Sequence, residues 1–340
     1  MTPTTWWPCS SSNPAAAELS TPPDMATAIF TRPSVGLVRL DTWEAGQKRS
    51  RELYGAGRFR EARDVLEGLW DSAPERRDFT WLGMLACHVA LDDLPGAAAT
   101  LRRALDQGCL WRLSLLGDPS VAPVLADVAC AEVIEEARRR VAARHLRPEV
   151  LVVEAPGPGL HPLLLVLHGA TGNAATTLPR WLPARELGYT VAAGQASQPA
   201  SADGFCWDPP RERVWEDLKA IAAGLPAHGR VVLAGFSQGA WVALNAALRG
   251  DPFPAAAVVM VGSFVPHPLH LEPAARRLRV AVLNGADDPH TERLPDLQAL
   301  LAECGHRVSV EIVPGLGHAY PDDFASRLPG LLKLASRARN

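Results

Sequence analysis

Val231-Val232-Leu233-Ala234-Gly235-Phe236-Ser237-Gln238-Gly239-Ala240-Trp241 is the stretch on which the reading of this chain turns. Its first four residues form an apolar run without polar alternation, as in a parallel strand covered on both faces. Its last residues open an apolar helix, and between the two lies the pattern G-x-S-x-G. With Gly and Ser each near 7%, that pattern arises by chance in about one chain in ten of this length. The strand–turn–helix setting is what makes it specific. A sharp turn of this kind holds the serine in a strained conformation, and a Cβ at 235 or 239 would strike backbone folding back beside it. The following helix aims its N-terminus at the serine, where developing negative charge is favoured. The minor alternative is a surface turn that happens to contain serine.

Outward from this stretch the same texture continues. Predicted strands fall at 149–155, 162–169, 189–195, 230–236, 255–262, 279–285 and 308–315. Predicted helices fall between or after them at 179–188, 211–225, 239–248, 294–305 and 322–335. This alternation over the last part of the chain predicts an α/β unit with a mostly parallel, three-layer sheet.

A serine hydroxyl at its free pKa is a poor nucleophile and needs a neighbouring base. Strand 279–285 runs into Ala286-Asp287-Asp288-Pro289, and strand 308–315 runs into Leu316-Gly317-His318-Ala319-Tyr320-Pro321. Both loops lie at carboxyl ends of predicted strands, where functional groups of parallel sheets collect. The order is serine, acid, histidine. His318 is therefore the best placed of the ten histidines, with His290 a distant second. Chemistry alone leaves Asp287 and Asp288 both open, and either serves equally well as an N-cap.

Residues from about 149 to the end resemble an α/β-hydrolase, nearest to the lidless carboxylesterase/phospholipase group. The resemblance rests on Leu167-His168-Gly169, Gly235-Phe236-Ser237-Gln238-Gly239, Asn284-Gly285-Ala286-Asp287-Asp288-Pro289 and Gly315-Leu316-Gly317-His318-Ala319-Tyr320-Pro321. It implies that Asp288 is the acid, giving a Ser237–Asp288–His318 triad. It also implies an oxyanion hole made by the backbone N–H groups of Ala170 and Gln238, in a loop that departs from glycine-richer forms at Thr171. The implied activity is hydrolysis of carboxylic esters or thioesters through an acyl-enzyme, on a small-molecule substrate, with no metal and no organic cofactor. His168, Gly169 and Trp207 are the expected substrate-side residues, although a packing role for Trp207 is an equal reading. Cys206 has no base placed beside it and is not a nucleophile candidate. Only a dozen or so residues separate Val265 from Arg279, too few for a cap domain, so an open and shallow site is expected. Two alternatives stay open: another acyl chemistry such as peptide cleavage, and a binding protein with a vestigial hydrolase site.

Upstream, residues 41–145 read as wholly helical. Phe59, Ala62, Val65, Leu66, Leu69 and Trp70 make one apolar stripe at helical spacing. The design repeats 35 residues on, where Leu94, Ala97 and Leu101 match Phe59, Ala62 and Leu66. This resembles a tetratricopeptide (TPR) array, with a generic antiparallel bundle as an equal reading. Residues 121–146 read as one final helix, its acidic residues preceding its basic ones, with Glu135–Arg139 as an i,i+4 pair. The helical region is the expected place for a protein partner or for homodimer formation, and a possible selector of substrates. The expected organisation is a leader over 1–38, disordered for want of apolar residues, a helical TPR-like domain over 39–147 and a hydrolase domain over 148–340. Met25 is an alternative start, and Trp6 and Trp7 belong to the loose leader.

Composition sets the outer limits. The 340 residues carry 34 Lys+Arg against 37 Asp+Glu, a net charge of −3, without the basic excess of a nucleic-acid binder. No run approaches the ~18 apolar residues of a membrane span. The N-terminus has neither a basic region nor an apolar core, so no secretory signal is expected and a cytoplasmic location is. Six scattered cysteines form no CxxC pair and are expected as reduced, mostly buried thiols.

Overall fold

The computed structural model describes residues 37–72, 77–110, 116, 120–143, 146–200, 204–208, 211–255, 257–266, 269 and 271–336. The expected leader, up to residue 36, lies outside the described residues, and so do Trp6, Trp7, Cys9 and Met25. The chain forms two compact units, the first running to Ala142 and the second beginning at Ala143.

The first unit contains α1 (Leu37–Gly55), α2 (Phe59–Ser72), α3 (Arg77–Ala90), α4 (Leu94–Asp106) and α5 (Val128–Ala142). The repeat seen in sequence is a repeat in backbone geometry. Arg58 donates its N–H to the Leu53 carbonyl, and Asp93 does the same to His88, at 2.9 Å in each case. Gly57 and Asp92 occupy matching left-handed positions, with φ of 73° and 57°. The Asp92–Asp93 pair replaces the glycine turn: aspartate tolerates positive φ, and the Asp93 carboxylate caps α4 by accepting from the Gly96 N–H at 2.9 Å. Ala62 and Ala97 are fully buried, as are Leu66 and Leu101.

The expected single helix over 121–146 is corrected. A 3-10 turn over Ala122–Ala126 ends at Asp127, whose backbone is extended (ψ 132°). The Asp127 carboxylate then accepts from the Cys130 N–H at 2.9 Å and starts α5 anew. An aspartate that captures a free N–H of the next turn competes with helix continuation. The charge pairing shifts by one residue from expectation. Glu136 pairs with Arg139 at 2.6 Å and Arg140 at 2.9 Å, and Glu135 pairs with Arg138 at 3.3 Å.

The second unit runs β1 (Glu149–Val153), β2 (Leu163–Leu167), α6 (Ala174–Trp181), β3 (Thr190–Gln195), β4 (Gln198–Pro199), β5 (Phe205–Cys206), α7 (Arg211–Ala223), β6 (Val231–Phe236), α8 (Gln238–Arg249), β7 (Ala257–Val261), β8 (Arg279–Gly285), α9 (Leu294–Glu303), β9 (Arg307–Val313) and α10 (Phe324–Ser336). Seven strands form one sheet in the order β1-β3-β2-β6-β7-β8-β9. Within this sheet every pairing is parallel except β1 with β3, and β4 and β5 form a separate antiparallel pair. Alternate residues of the buried strands feed two cores. Leu163, Leu165, Leu233, Val258 and Val280 meet α7, α8 and α9 on one face. Leu164, Val166, Val232, Val259 and Ala281 meet Trp181 and α10 on the other. That is why the central strands read as unbroken apolar runs.

The helix expected over 179–188 is displaced. Asn173 caps an earlier start by accepting from the Thr176 N–H, so α6 occupies 174–181. A 3-10 stretch follows over Leu182–Leu187, with Pro183 in its first turn, and ends at Gly188 with φ 82°.

The chain leaves β2 toward β3 on one side and leaves β6 toward β7 on the other. β2 and β6 are neighbours, paired from Leu163↔Val231 to Leu167↔Gly235. Their carboxyl ends thus flank the switch point of the sheet, where open α/β folds place their sites. Among the described residues the cysteines are unbridged: Cys87, Cys109, Cys130 and Cys206 are buried, and Cys304 is exposed. No described helix is long and apolar enough to cross a membrane.

Candidate active site

Ser237 stands between the end of β6 and the start of α8 with φ 52° and ψ −120°, a backbone conformation that L-residues rarely adopt. Its neighbours enforce it. A Cβ on Gly235 would overlap the backbone of Gly239, and one on Gly239 would overlap the carbonyl oxygens of Leu167 and His168. The serine N–H donates to the Val261 carbonyl at 2.9 Å, which ties the turn to β7.

The three separate loops named from sequence converge here. His318 Nε2 lies 2.9 Å from Ser237 Oγ. His318 Nδ1 lies 2.7 Å from Asp288 Oδ2. A proton on Nδ1 donates to the carboxylate and leaves Nε2 free to accept from the serine hydroxyl. Asp287 points elsewhere: it is exposed, and its N–H donates to the Leu316 carbonyl at 2.9 Å. Burial raises the Asp288 pKa, but the bonds and charge of His318 and the His290 N–H outweigh it. The net effect holds the carboxyl below its ordinary value.

Several supports were not legible beforehand. Asp288 Oδ1 accepts from the His290 N–H at 2.9 Å. Asn284, nearly fully buried, accepts from the Ser263 N–H at 2.8 Å and directs its amide toward Asp288 Oδ2 at 3.5 Å. Phe236 faces the His318 ring at 5.0 Å and stacks on Tyr320 at 4.7 Å. Tyr320 in turn accepts from Trp181 Nε1 at 3.1 Å. These aromatics floor the imidazole from below. Phe236 and Tyr320 stand in the quoted motifs, but nothing in sequence spacing says that they touch.

The loop after β2 is fixed from several directions. Thr171 has φ 65°; its N–H donates to the Phe205 carbonyl at 2.8 Å, and Phe205 returns a bond to Gly172 at 2.8 Å. Gln238 accepts from the Trp207 N–H at 2.9 Å and donates to Asp208 at 2.8 Å. Trp207 Nε1 donates to the His168 carbonyl at 2.9 Å, and its ring stacks on His168 at 5.0 Å. Trp207 and His168 are both buried, with His168 wholly so. Both His168 nitrogens are engaged on backbone: Nδ1 with the Gly169 carbonyl at 2.8 Å and Nε2 with the Ala196 N–H at 3.1 Å. Ala170, which follows Gly169, and Gln238, which follows Ser237, are partly exposed.

Burial pushes the His168 pKa down to about 4, against a small opposing effect of its bond to Gly169. The unfolded chain, with a His pKa near ~6.5, therefore binds a proton that the folded one refuses. Stability from this group is complete above ~6.5 and falls as pH drops toward 4. Lowering the pH from 7.5 to 5 should cost about 2 kcal/mol through His168 alone. Urea unfolding at the two pH values checks it: the difference should shrink in His168→Gln, which can still accept from Ala196.

Residues 218–333, from within α7 into α10, match the model of a family described as phospholipase/carboxylesterase. That match spans about a third of the chain and covers the serine, acid and histidine loops. The C-terminal unit has the α/β-hydrolase fold. Among solved structures, esterase PE8 is similar to this chain at 21% identity, covering 56% of this chain and 100% of its own, with a TM-score of 0.49. An uncharacterised protein from Bacillus cereus is similar at 20% identity, with 86% and 98% covered and a TM-score of 0.45. A Bacillus cereus carboxylesterase is similar at 16% identity, with 58% and 98% covered and a TM-score of 0.46. Comparison with curated protein sequences gives no match. The helical unit lies outside the family match, which begins within the α/β-hydrolase unit.

Proposed function

We propose that the α/β-hydrolase unit is a serine hydrolase of carboxylic esters or thioesters, acting through Ser237, His318 and Asp288. The observation that carries the reading is the pair of hydrogen bonds, 2.9 and 2.7 Å, joining the three side chains in series. His318 takes the hydroxyl proton as Ser237 Oγ attacks the carbonyl carbon. Asp288 holds the imidazole and stabilises its charged form. The oxyanion rests on the N–H groups of Ala170 and Gln238, each worth about 3–4 kcal/mol in the transition state. His318 then gives the proton to the departing alcohol or thiol, and water, deprotonated by the same imidazole, releases the acid.

Within this reading, His168 and Trp207 position the oxyanion loop, because their polar atoms are spent on backbone. Gly169 brings that loop close to the serine, since a Cβ there would press on Phe236 and Ser237. The Gln238 side chain ties the loop to the start of α8 through Trp207 and Asp208. The helical unit, with its two hairpins in one register, is read as a TPR-like platform for a protein partner or a second copy of the chain.

A fluorophosphonate probe tests the core of the proposal. Labelling of the intact chain should map by peptide mass to Ser237. A chain that stays unlabelled, or is labelled at another serine, overturns it.

A further inference from the structure

The hydrolytic scheme leaves one half-buried side chain beside its base without employment. His290 follows the acid loop, and its ring stands edge-on to His318 with centroids 5.2 Å apart. On its other side Phe264 holds it, also edge-on, at 5.2 Å. A second imidazole against a catalytic one serves no proton transfer in the scheme above. Asp288, His290 and His318 each offer a ligand atom, and the three atoms lie within 4.8 Å of one another. Two imidazoles and one carboxylate form a donor set suited to zinc and its borderline neighbours rather than to magnesium or calcium.

We propose that Asp288, His290 and His318 form an inhibitory site for a divalent transition-metal ion of the zinc type, which silences the hydrolase by occupying its base. Coordination forms donor bonds from imidazole and carboxylate lone pairs and changes no oxidation state. Either nitrogen of His318 gives the same outcome. Metal at Nε2 takes the lone pair that accepts the Ser237 proton. Metal at Nδ1 moves the imidazole proton from Nδ1 to Nε2, which can then no longer accept the Ser237 proton. The ligand atoms must close from within 4.8 Å of one another to about 3.3–3.6 Å, the edge of a tetrahedron whose zinc bonds are about 2.0–2.2 Å. His290 is half-buried at the start of the turn Thr291–Arg293.

The metal-binding half of the proposal stands apart from the hydrolytic reading, and the inhibition half rests on it. Zinc chloride is titrated into the full chain by equilibrium dialysis, with p-nitrophenyl acetate turnover followed in parallel. The wild type should bind one zinc ion per chain and lose turnover as it does so. Loss of even an outer-shell partner weakens metal sites on the order of 10–100-fold, so loss of a ligand should cost at least that. His290→Phe keeps the edge-on ring contact but offers no ligand atom. Measured against its own metal-free turnover, the variant should lose affinity for zinc in both readouts by the same factor. His290→Gln gives the same comparison should the phenylalanine variant fail to fold. Zinc binding that is absent from the wild type, or unchanged in the variant, overturns the proposal. A wild type that binds zinc through His290 yet never turns over ester would overturn the hydrolytic reading instead.

Discussion

Replacing Ser237 by alanine should lower kcat on p-nitrophenyl esters by a factor on the order of 10⁴–10⁶, while the chain stays folded. The size follows from what one atom does. In the proposed scheme Oγ forms the bond to the acyl carbon, and His318 Nε2 stands 2.9 Å from it. Without it, the remaining route is attack by water, which the oxyanion donors and the histidine assist but do not position. Folding should be spared because the substitution keeps Cβ and removes only a partly exposed hydroxyl. The strained φ of 52° is imposed by the surroundings and is equally strained for alanine. The close approaches of Gly235 and Gly239 are also untouched. Steady-state kinetics and a thermal melt on the same preparation decide the matter. A variant that melts with the wild type and retains more than about a thousandth of its kcat would point to a different nucleophile.

How far the sequence led depended on whether an interaction was local. The strand cores were legible because both faces of β2, β6 and β7 are covered, and burial on both faces leaves an unbroken apolar run. The turn at Ser237 was legible because two glycines and a serine at fixed spacing describe a steric requirement within five residues. The acid was not settled by chemistry, since Asp287 and Asp288 are adjacent. Resemblance preferred Asp288, and in the structure it is Asp288 that faces His318. Helix ends were misjudged where a side chain intervened, at Asn173 and at Asp127, because a cap is a single hydrogen bond and leaves no periodic trace. The supports of the site were beyond reach for a different reason. Asn284 meets Ser263, Phe236 meets Tyr320, and Gln238 meets Trp207 and Asp208 across separations that only the sheet order establishes. Gly285 belongs with these, and its quoted motif gave no hint of why a glycine stands there.

Gly285→Ala should cut kcat on the order of 100-fold and lower stability by about 1–3 kcal/mol, although residue 285 carries no reacting atom. Gly285 is the last residue of β8 and pairs with Val313 at the end of β9. Beyond it the two loops stay bonded: Ala286 donates to the Val313 carbonyl and Asp287 to that of Leu316, both at 2.9 Å. One loop carries Asp288 and the other His318. A Cβ at 285 would fall inside the van der Waals surface of the Leu316 carbonyl, with the Gly317 carbonyl close behind. These are backbone atoms that no rotamer change can withdraw, so the loops must part. Parting them stretches the bond from His318 to Asp288, and a misplacement of about 1 Å at a reacting geometry costs about 100-fold in rate. Gly317→Ala is the matched control, because a Cβ there meets nothing within 4 Å. The control should keep both its melting temperature and its kcat, while the 285 variant loses activity at every substrate concentration. Equal losses in the two variants, or an unimpaired 285 variant, would mean that the acid and histidine loops are not held in register by this contact.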